Sequence, residues 1–161
     1  MSFDRPTRRT SLLGLFALAG CGFAPIYGED AALHGQVAYE TDETVDGFRI
    51  RSQLERRLGV AAQPRYLLKI TKTEERQTSA ITSDGDTTRF NVIGTARWVL
   101  TDSGTGQEVD RGTVQAFTGY ATTGSTTATQ AAETDAAARL SVILADRVVS
   151  QLMILSLDLP A

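Results

Sequence analysis

The spacing of apolar residues divides the chain into six predicted elements. Strict alternation of apolar and polar positions predicts strands, and apolar residues three or four positions apart predict helices. In chain order these are a strand at 36–41, a helix at 46–58, a strand that starts at Tyr66, strands at 88–101 and 108–120, and a long helix that starts near Thr127. The pattern therefore alternates strand, helix, three strands and helix.

The two predicted helices each carry one apolar stripe. Ile50, Leu54 and Leu58 are four residues apart in the first helix, and Gly59 follows as a stop signal. In the second helix, Thr127 and Gln130 have the spacing of a capping box. Its stripe consists of Leu140, Ile143, Leu144, Val148, Leu152 and Leu155. Core packing explains this stripe better than a membrane surface does, because the polar face is not enriched in Lys or Arg.

The strand at 88–101 has the clearest two-faced pattern. One face carries Phe90, Val92, Ala96, Trp98 and Leu100, and the other carries Arg89, Asn91, Thr95 and Arg97. Turn signals occur at 83–86 and 102–106. The strand at 108–120 is expected to pair antiparallel with its predecessor, although its register is not readable from the sequence.

These elements predict an α+β fold of two layers. A mostly antiparallel sheet of about four strands carries two helices on one face, in the order β-α-β-β-β-α. Residues 36–161 form the single expected domain, which is long enough to bury its own core.

Composition excludes several classes of function. The chain of 161 residues has 16 Lys and Arg against 19 Asp and Glu, a net charge of −3, which argues against a nucleic-acid binder. One Cys and one His exclude a disulfide framework and the usual zinc sites. His34 has no candidate base or nucleophile nearby, and acidic pairs such as Glu74 and Glu75 are expected to be solvated. We expect neither an enzyme nor a bound cofactor or metal.

The first twenty residues have the composition of an export signal. Arg5, Arg8 and Arg9 precede an apolar run at 12–19. Eight helical residues rise about 12 Å, which is less than half of the roughly 30 Å of bilayer hydrocarbon. The run is therefore not a spanning helix. The paired arginines leave open whether export follows the general or the twin-arginine route.

The signal ends in Leu18-Ala19-Gly20-Cys21, which resembles the lipobox of bacterial lipoproteins. The alternative is an unmodified Cys buried as a small apolar side chain. Lipidation of Cys21, with acyl chains such as palmitate, predicts a signal peptide at 1–20 and an extended tether at 21–35. Cleavage would remove three Arg and one Asp, which leaves 13 basic and 18 acidic residues and a net charge of −5.

The residues from Leu18 to Gly28 carry a more specific resemblance. The stretch Cys-Gly-Phe-Ala-Pro-Ile-Tyr-Gly is similar to the processed start of the LptE family, Cys-Gly-Phe-x-Pro-Leu-Tyr-Gly, with Ile26 as the only departure. The resemblance implies an outer-membrane lipoprotein on the periplasmic side. In that role it plugs the LptD β-barrel, assists its assembly and contacts lipopolysaccharide during delivery to the outer leaflet.

Two alternatives stay open at the level of the sequence. Lys69, Arg89 and Arg97 could converge on the sheet face turned away from the helices and contact lipid A phosphates, or they could be ordinary solvated cations. The chain could also be an accessory periplasmic lipoprotein of a lipid-transporting ABC system. An anchored enzyme is the least favoured reading, because no catalytic set of residues is apparent.

Overall fold

Two helices cover one face of a four-stranded sheet in the computed structural model, which describes residues 33–81, 87–122, 124–157 and 159. The elements are β1 (Val37–Thr41), α1 (Val45–Leu58), β2 (Tyr66–Ile81), β3 (Thr87–Asp102), β4 (Glu108–Ala121) and α2 (Thr126–Leu155). This order confirms the predicted α+β fold. The export signal, Cys21, most of the tether and the turn predicted at 83–86 lie outside the described residues.

The four strands lie in the order β1-β2-β3-β4. β1 runs parallel to β2, and the other two pairs are antiparallel. β2 continues to Ile81, well past its apolar start, because it stays paired with β3 over its full length. A register shift follows Leu100, which pairs with Asp110 while Thr101 pairs with Glu108.

Helix α1 forms as the sequence predicts. The Thr44 hydroxyl caps its first turn by accepting a hydrogen bond from the Gly47 N–H at 3.0 Å. Ile50, Leu54 and Leu58 are buried. Gly59 ends the helix with a φ of +76°, a backbone angle that favours glycine.

Helix α2 begins two residues earlier than the proposed capping box allows. Ser125 is the N-cap, and its side chain accepts a hydrogen bond from the Ala128 N–H at 3.2 Å. The prediction that Thr127 and Gln130 form the cap is therefore wrong. Three hydroxyl residues, 125–127, follow one another, and the first takes the extended cap conformation, which places Thr127 inside the helix.

The predicted stripe of α2 faces the sheet, with corrections at its edges. Leu140, Leu144, Val148 and Leu152 are fully buried, as expected. Ile143 is instead exposed, and Leu155 is only partly buried. Both lie beside the row formed by the four buried residues, which are four positions apart. They are therefore away from the centre of the contact with the sheet.

Polar contacts join the helices to the sheet at defined points. The Trp98 indole N–H donates to the Gln151 side-chain oxygen at 2.7 Å, and the Thr118 hydroxyl donates to the Ala136 carbonyl at 2.9 Å. Lys72 of β2 reaches Asp46 of α1 at 2.5 Å. Buried polar groups that are satisfied in this way fix the position of each helix on the sheet.

Candidate functional site

The sheet face turned away from the helices, called the open face here, is the surface where the candidate site residues lie. Side chains alternate between the two faces, and alternate residues of each strand are buried where the helices cover them. The open face carries Leu67, Lys69, Thr71, Thr73 and Glu75 of β2, Asn91, Ile93, Thr95, Arg97 and Val99 of β3, and Arg111, Thr113, Gln115 and Phe117 of β4.

Three cations surround Val99 at one end of the open face. The strand register places Lys69 of β2 and Arg111 of β4 directly opposite Val99 on its two sides. Arg97 lies two residues away along β3. Neighbouring strands are about 4.8 Å apart, and residues on the same face of one strand are about 6.7 Å apart. We call Lys69, Arg97 and Arg111 the cation cluster.

Carboxylates neutralise two members of the cation cluster. Lys69 Nζ lies 2.6 Å from Glu40 Oε1, and Arg111 Nε lies 2.6 Å from Glu108 Oε1. The hydrogen bond from Lys69 to Glu40 and the negative charge of that carboxylate raise the pKa of Lys69 above its ordinary value. Arg97 has no carboxylate within ion-pair distance in the part of the chain that the structure describes. It is the cation most available to an anionic ligand.

The structure does not bring Arg89 to this cluster. All three cations predicted from the sequence lie on the open face, but Arg89 is eight residues from Arg97 along β3, a distance of about 27 Å. Lys69 and Arg97 are diagonal neighbours across one strand pair. The structure therefore brings Lys69 and Arg97 close together and leaves Arg89 far from both, because most of the length of β3 lies between Arg89 and Arg97.

Arg111 is the member that sequence reasoning missed. Its position opposite Val99 depends on the register of β4 on β3, which is continuous from Ala121 to Asp110. A usable signal was present, since Val114, Ala116 and Tyr120 alternate and are buried against the helices. That alternation places the odd-numbered residues of β4, including Arg111, on the open face.

An apolar cross-strand pair with one exposed member is the second feature of the open face. Ile93 of β3 and Phe117 of β4 are direct cross-strand partners, and 70% of the Phe117 surface is exposed. They border a cavity of about 390 Å³ at the β4 edge, which Gln115 and Arg147 also line. Ile93 and Phe117 form a small apolar patch, which Asn91, Thr95 and Gln115 flank along the two strands.

The described residues hold no group of three or more His, Cys, Asp or Glu side chains placed to bind a metal ion. Among the same residues, no helix has the length and hydropathy needed to cross a membrane.

A comparison with protein families gives a match over nearly the whole described domain. The family model for LptE, described as lipopolysaccharide-assembly, matches residues 36–152. The chain belongs to the LptE family. The match covers all four strands and both helices apart from the last turn of α2. It starts after Cys21, so the resemblance of residues 21–28 to the start of processed LptE-family chains is a separate observation.

Solved structures share the fold of this LptE-family chain at low sequence identity. A lipoprotein from Caulobacter crescentus has a TM-score of 0.64 and 22% identity, and the alignment covers 76% of this chain and 91% of that one. Rare lipoprotein B from Shewanella oneidensis has a TM-score of 0.62 and 12% identity, with 76% and 97% covered. A minor lipoprotein from Acinetobacter baumannii has a TM-score of 0.59 and 20% identity, with 75% and 92% covered. A search of curated protein sequences gave no match.

Proposed function

We propose that this LptE-family chain is an outer-membrane lipoprotein that plugs an LptD-type β-barrel, assists its assembly and contacts lipopolysaccharide during delivery to the outer leaflet. The observation that carries the proposal is the LptE family match over residues 36–152. The family supports a role in lipopolysaccharide assembly, and the anchor, the barrel and the contact residues are the parts that need testing.

The anchor is expected at Cys21, within Leu18-Ala19-Gly20-Cys21. In this proposal residues 1–20 are cleaved, residues 21–35 lead away from the membrane and 36–161 form the domain. Leu33, near the end of the expected tether, is buried in the core. Several acyl chains on one residue give durable attachment, whereas one gives only marginal binding.

Mass spectrometry of the mature protein tests the anchor. We expect an N-terminal peptide that begins at residue 21 and carries the added mass of the lipid. Cys21→Ala is the matched control, and it should stay uncleaved and unlipidated. An unmodified, uncleaved N-terminus in the natural chain would refute the anchor.

The open face suits the interior of a barrel. Wide outer-membrane barrels have polar lumens, so a folded domain that fills one presents polar surface to the wall. Thr71, Thr73, Thr95, Thr113 and Gln115 form the centre of the open face. Neutral hydrogen-bonding side chains of this kind can meet a polar wall without burying unpaired charge.

Co-purification tests the barrel partnership. Full-length protein with a C-terminal tag, extracted from membranes in detergent, should bring down a large LptD-type β-barrel. Recovery of an inner-membrane ATPase complex instead would support the accessory role in lipid transport and contradict the proposal.

The cation cluster is the proposed contact for lipopolysaccharide. Lipid A carries phosphates, and arginine binds phosphate through two parallel N–H groups. Arg97 lacks a carboxylate partner among the described residues, and Lys69 and Arg111 flank it within two strand spacings. The mature net charge of −5 gives no long-range attraction, so binding must rest on this local arrangement.

A triple variant tests this contact. Lys69→Ala, Arg97→Ala and Arg111→Ala together should weaken binding of purified lipopolysaccharide, with little change in stability because all three side chains are exposed. Arg89→Ala is the control on the same face, and it should bind like the natural protein. Unchanged affinity in the triple variant, or an equal loss in the control, would remove the cluster from the proposal.

A further inference from the structure

A shallow apolar groove runs between the two helices on the side of the helix layer that faces away from the sheet. Its volume is about 570 Å³. Phe48, Ser52 and Arg56 line it from α1, and Ala138, Val142 and Ile143 line it from α2. Phe48 is 69% exposed, although it lies in the first turn of a helix whose other face is buried. The groove is separate from the open face, which lies on the opposite side of the sheet.

One cation at the groove lacks a compensating carboxylate. Arg49 pairs with Asp46 at 3.0 Å, and Arg139 pairs with Asp135. The guanidinium of Arg56 donates to the side-chain oxygen of Gln53, a neutral amide, and has no carboxylate within ion-pair distance among the described residues. The groove therefore combines an apolar floor with an uncompensated positive charge in the last turn of α1.

The chain enters the fold beside that charge. Leu33 is buried, and the Gly35 N–H donates to the Leu58 carbonyl at 2.7 Å, which ties this part of the chain to the C-terminal end of α1. From Leu33 towards the N-terminus, the sequence has Asp30 and Glu29, and then Tyr27 and Ile26. Two acidic residues and then two large apolar ones thus come next along the chain.

We propose that residues 22–30 of the same chain occupy this groove. In this arrangement Glu29 and Asp30 meet Arg56, and Ile26 and Tyr27 cover Phe48 and Ile143. In the segment, the acidic residues are closer to Leu33 than the apolar residues are. In the groove, Arg56 is likewise closer than Phe48 to the end of α1 that holds Gly35. The inference does not depend on the proposed function.

The lengths agree with this arrangement. An extended chain covers about 3.3 Å per residue, so Asp30 reaches about 10 Å from Leu33 and Tyr27 about 20 Å. Phe48 lies ten residues before Leu58, about 15 Å along the helix. Pro25 favours an extended backbone in the residue before it. Because the segment is covalently attached, its effective concentration at the groove is in the millimolar range, and modest contacts suffice for occupancy.

Site-specific photo-cross-linking tests the occupant. Full-length protein is made with p-benzoylphenylalanine in place of Phe48, and a control carries it in place of Phe117. The two positions are matched in exposure, at 69% and 70%, but lie on opposite sides of the molecule. We expect cross-links from position 48 to peptides within 22–30, and none from position 117. No such peptide from position 48, or cross-links only to a second copy, another protein or a lipid, would overturn the proposal.

Charge reversal tests the polar part of the contact. Arg56→Glu should lower the intramolecular cross-link yield about fivefold, the effect expected for loss of one exposed ion pair. Arg56→Glu with Glu29→Lys should restore it. Arg51→Glu is the control, since Arg51 is also exposed on α1 and makes its own pair with Glu55. Circular dichroism checks that each variant is folded. An equal loss for Arg51→Glu and Arg56→Glu, or no rescue, would contradict the assignment.

Discussion

The two faces of the sheet use the same three long strands for different purposes. On the covered face, Leu68 lies opposite Leu100 and Ile70 opposite Trp98, and all four are buried under the helices. On the open face, the alternate residues include threonines, cations and the apolar pair of Ile93 and Phe117. The pattern of the covered face is determined by burial. The open face is free of that constraint, so its composition reports on what the surface contacts.

The covered face is also the tightly packed one. A Cβ added at Gly94 of β3 would lie 2.9 Å from side-chain carbons of Leu140 and Leu144. Helix α2 therefore rests directly on the strand at this point, and only glycine leaves room for it. Nothing comparable restricts side chains on the other face of the same strand, where the neighbouring Thr95 is only partly buried.

The largest loss in the free energy of unfolding is expected from a substitution in the core between the sheet and the helices. Leu144 is fully buried at the contact between α2 and β3. Leu144→Ala should lower the free energy of unfolding by about 3 kcal/mol, from lost apolar burial and the cavity left behind. Urea denaturation measures this. A loss below about 1 kcal/mol would show that α2 does not seal the core as described.

A smaller loss in the free energy of unfolding is expected when the polar link between α1 and β2 is broken. The Lys72 side chain is only 7% exposed and contacts Asp46 at 2.5 Å and Glu74 at 2.8 Å. Lys72→Ala should cost about 2 kcal/mol, because the partly buried Asp46 then loses the closer of its two cations and keeps only Arg49. Lys69→Ala, which breaks an exposed pair on the open face, is the control and should leave the urea midpoint nearly unchanged. Equal effects would contradict the contrast between the two faces.

The same contact between Lys72 and Asp46 predicts that the stability of the fold depends on pH. Partial burial works to raise the pKa of Asp46, but the hydrogen bond and charge of Lys72, with Arg49, hold that pKa below its ordinary value of 3.8. A lowered pKa contributes stability above the ordinary value, which is lost as the pH falls through the folded-state value. Urea midpoints should therefore decline as the pH falls below about 4. Asp46→Asn should decline less over that window, and an identical decline would contradict this assignment.

The smallest change in stability is expected on the open face. Phe117→Ser should alter the free energy of unfolding by less than about 0.5 kcal/mol, because the ring is mostly exposed. In detergent co-purification, less β-barrel should come down with this variant than with the natural protein. A stability loss comparable to that of Leu144→Ala would mean that Phe117 belongs to the core, and full barrel recovery would mean that it is not a contact.

Most of the fold could be predicted where one side of an element is buried. The alternation from Phe90 to Leu100 and the spacing of Ile50, Leu54 and Leu58 each state which side faces the core, and the structure confirms both. The second half of β2 has no such pattern. Glu74, Glu75 and Arg76 are all exposed, so only pairing with β3 shows that the strand continues.

The candidate site was less predictable, for a related reason. A face can be assigned from alternation within one strand, which placed Lys69, Arg89 and Arg97 together on the open face. Their mutual distances depend on the strand register and on position along the strand. The register of β4 on β3 places Arg111 opposite Val99, and position along β3 separates Arg89 from Arg97. Alternation within one strand gives the face of a residue but neither of these distances.

Depletion of the protein in its native cell tests the central claim most directly, with the quantity of lipopolysaccharide on the outer leaflet as the measurement. The account predicts that surface lipopolysaccharide and the amount of folded LptD-type barrel fall together, and that the full-length chain restores both. Unchanged surface lipopolysaccharide and barrel after complete depletion would contradict it.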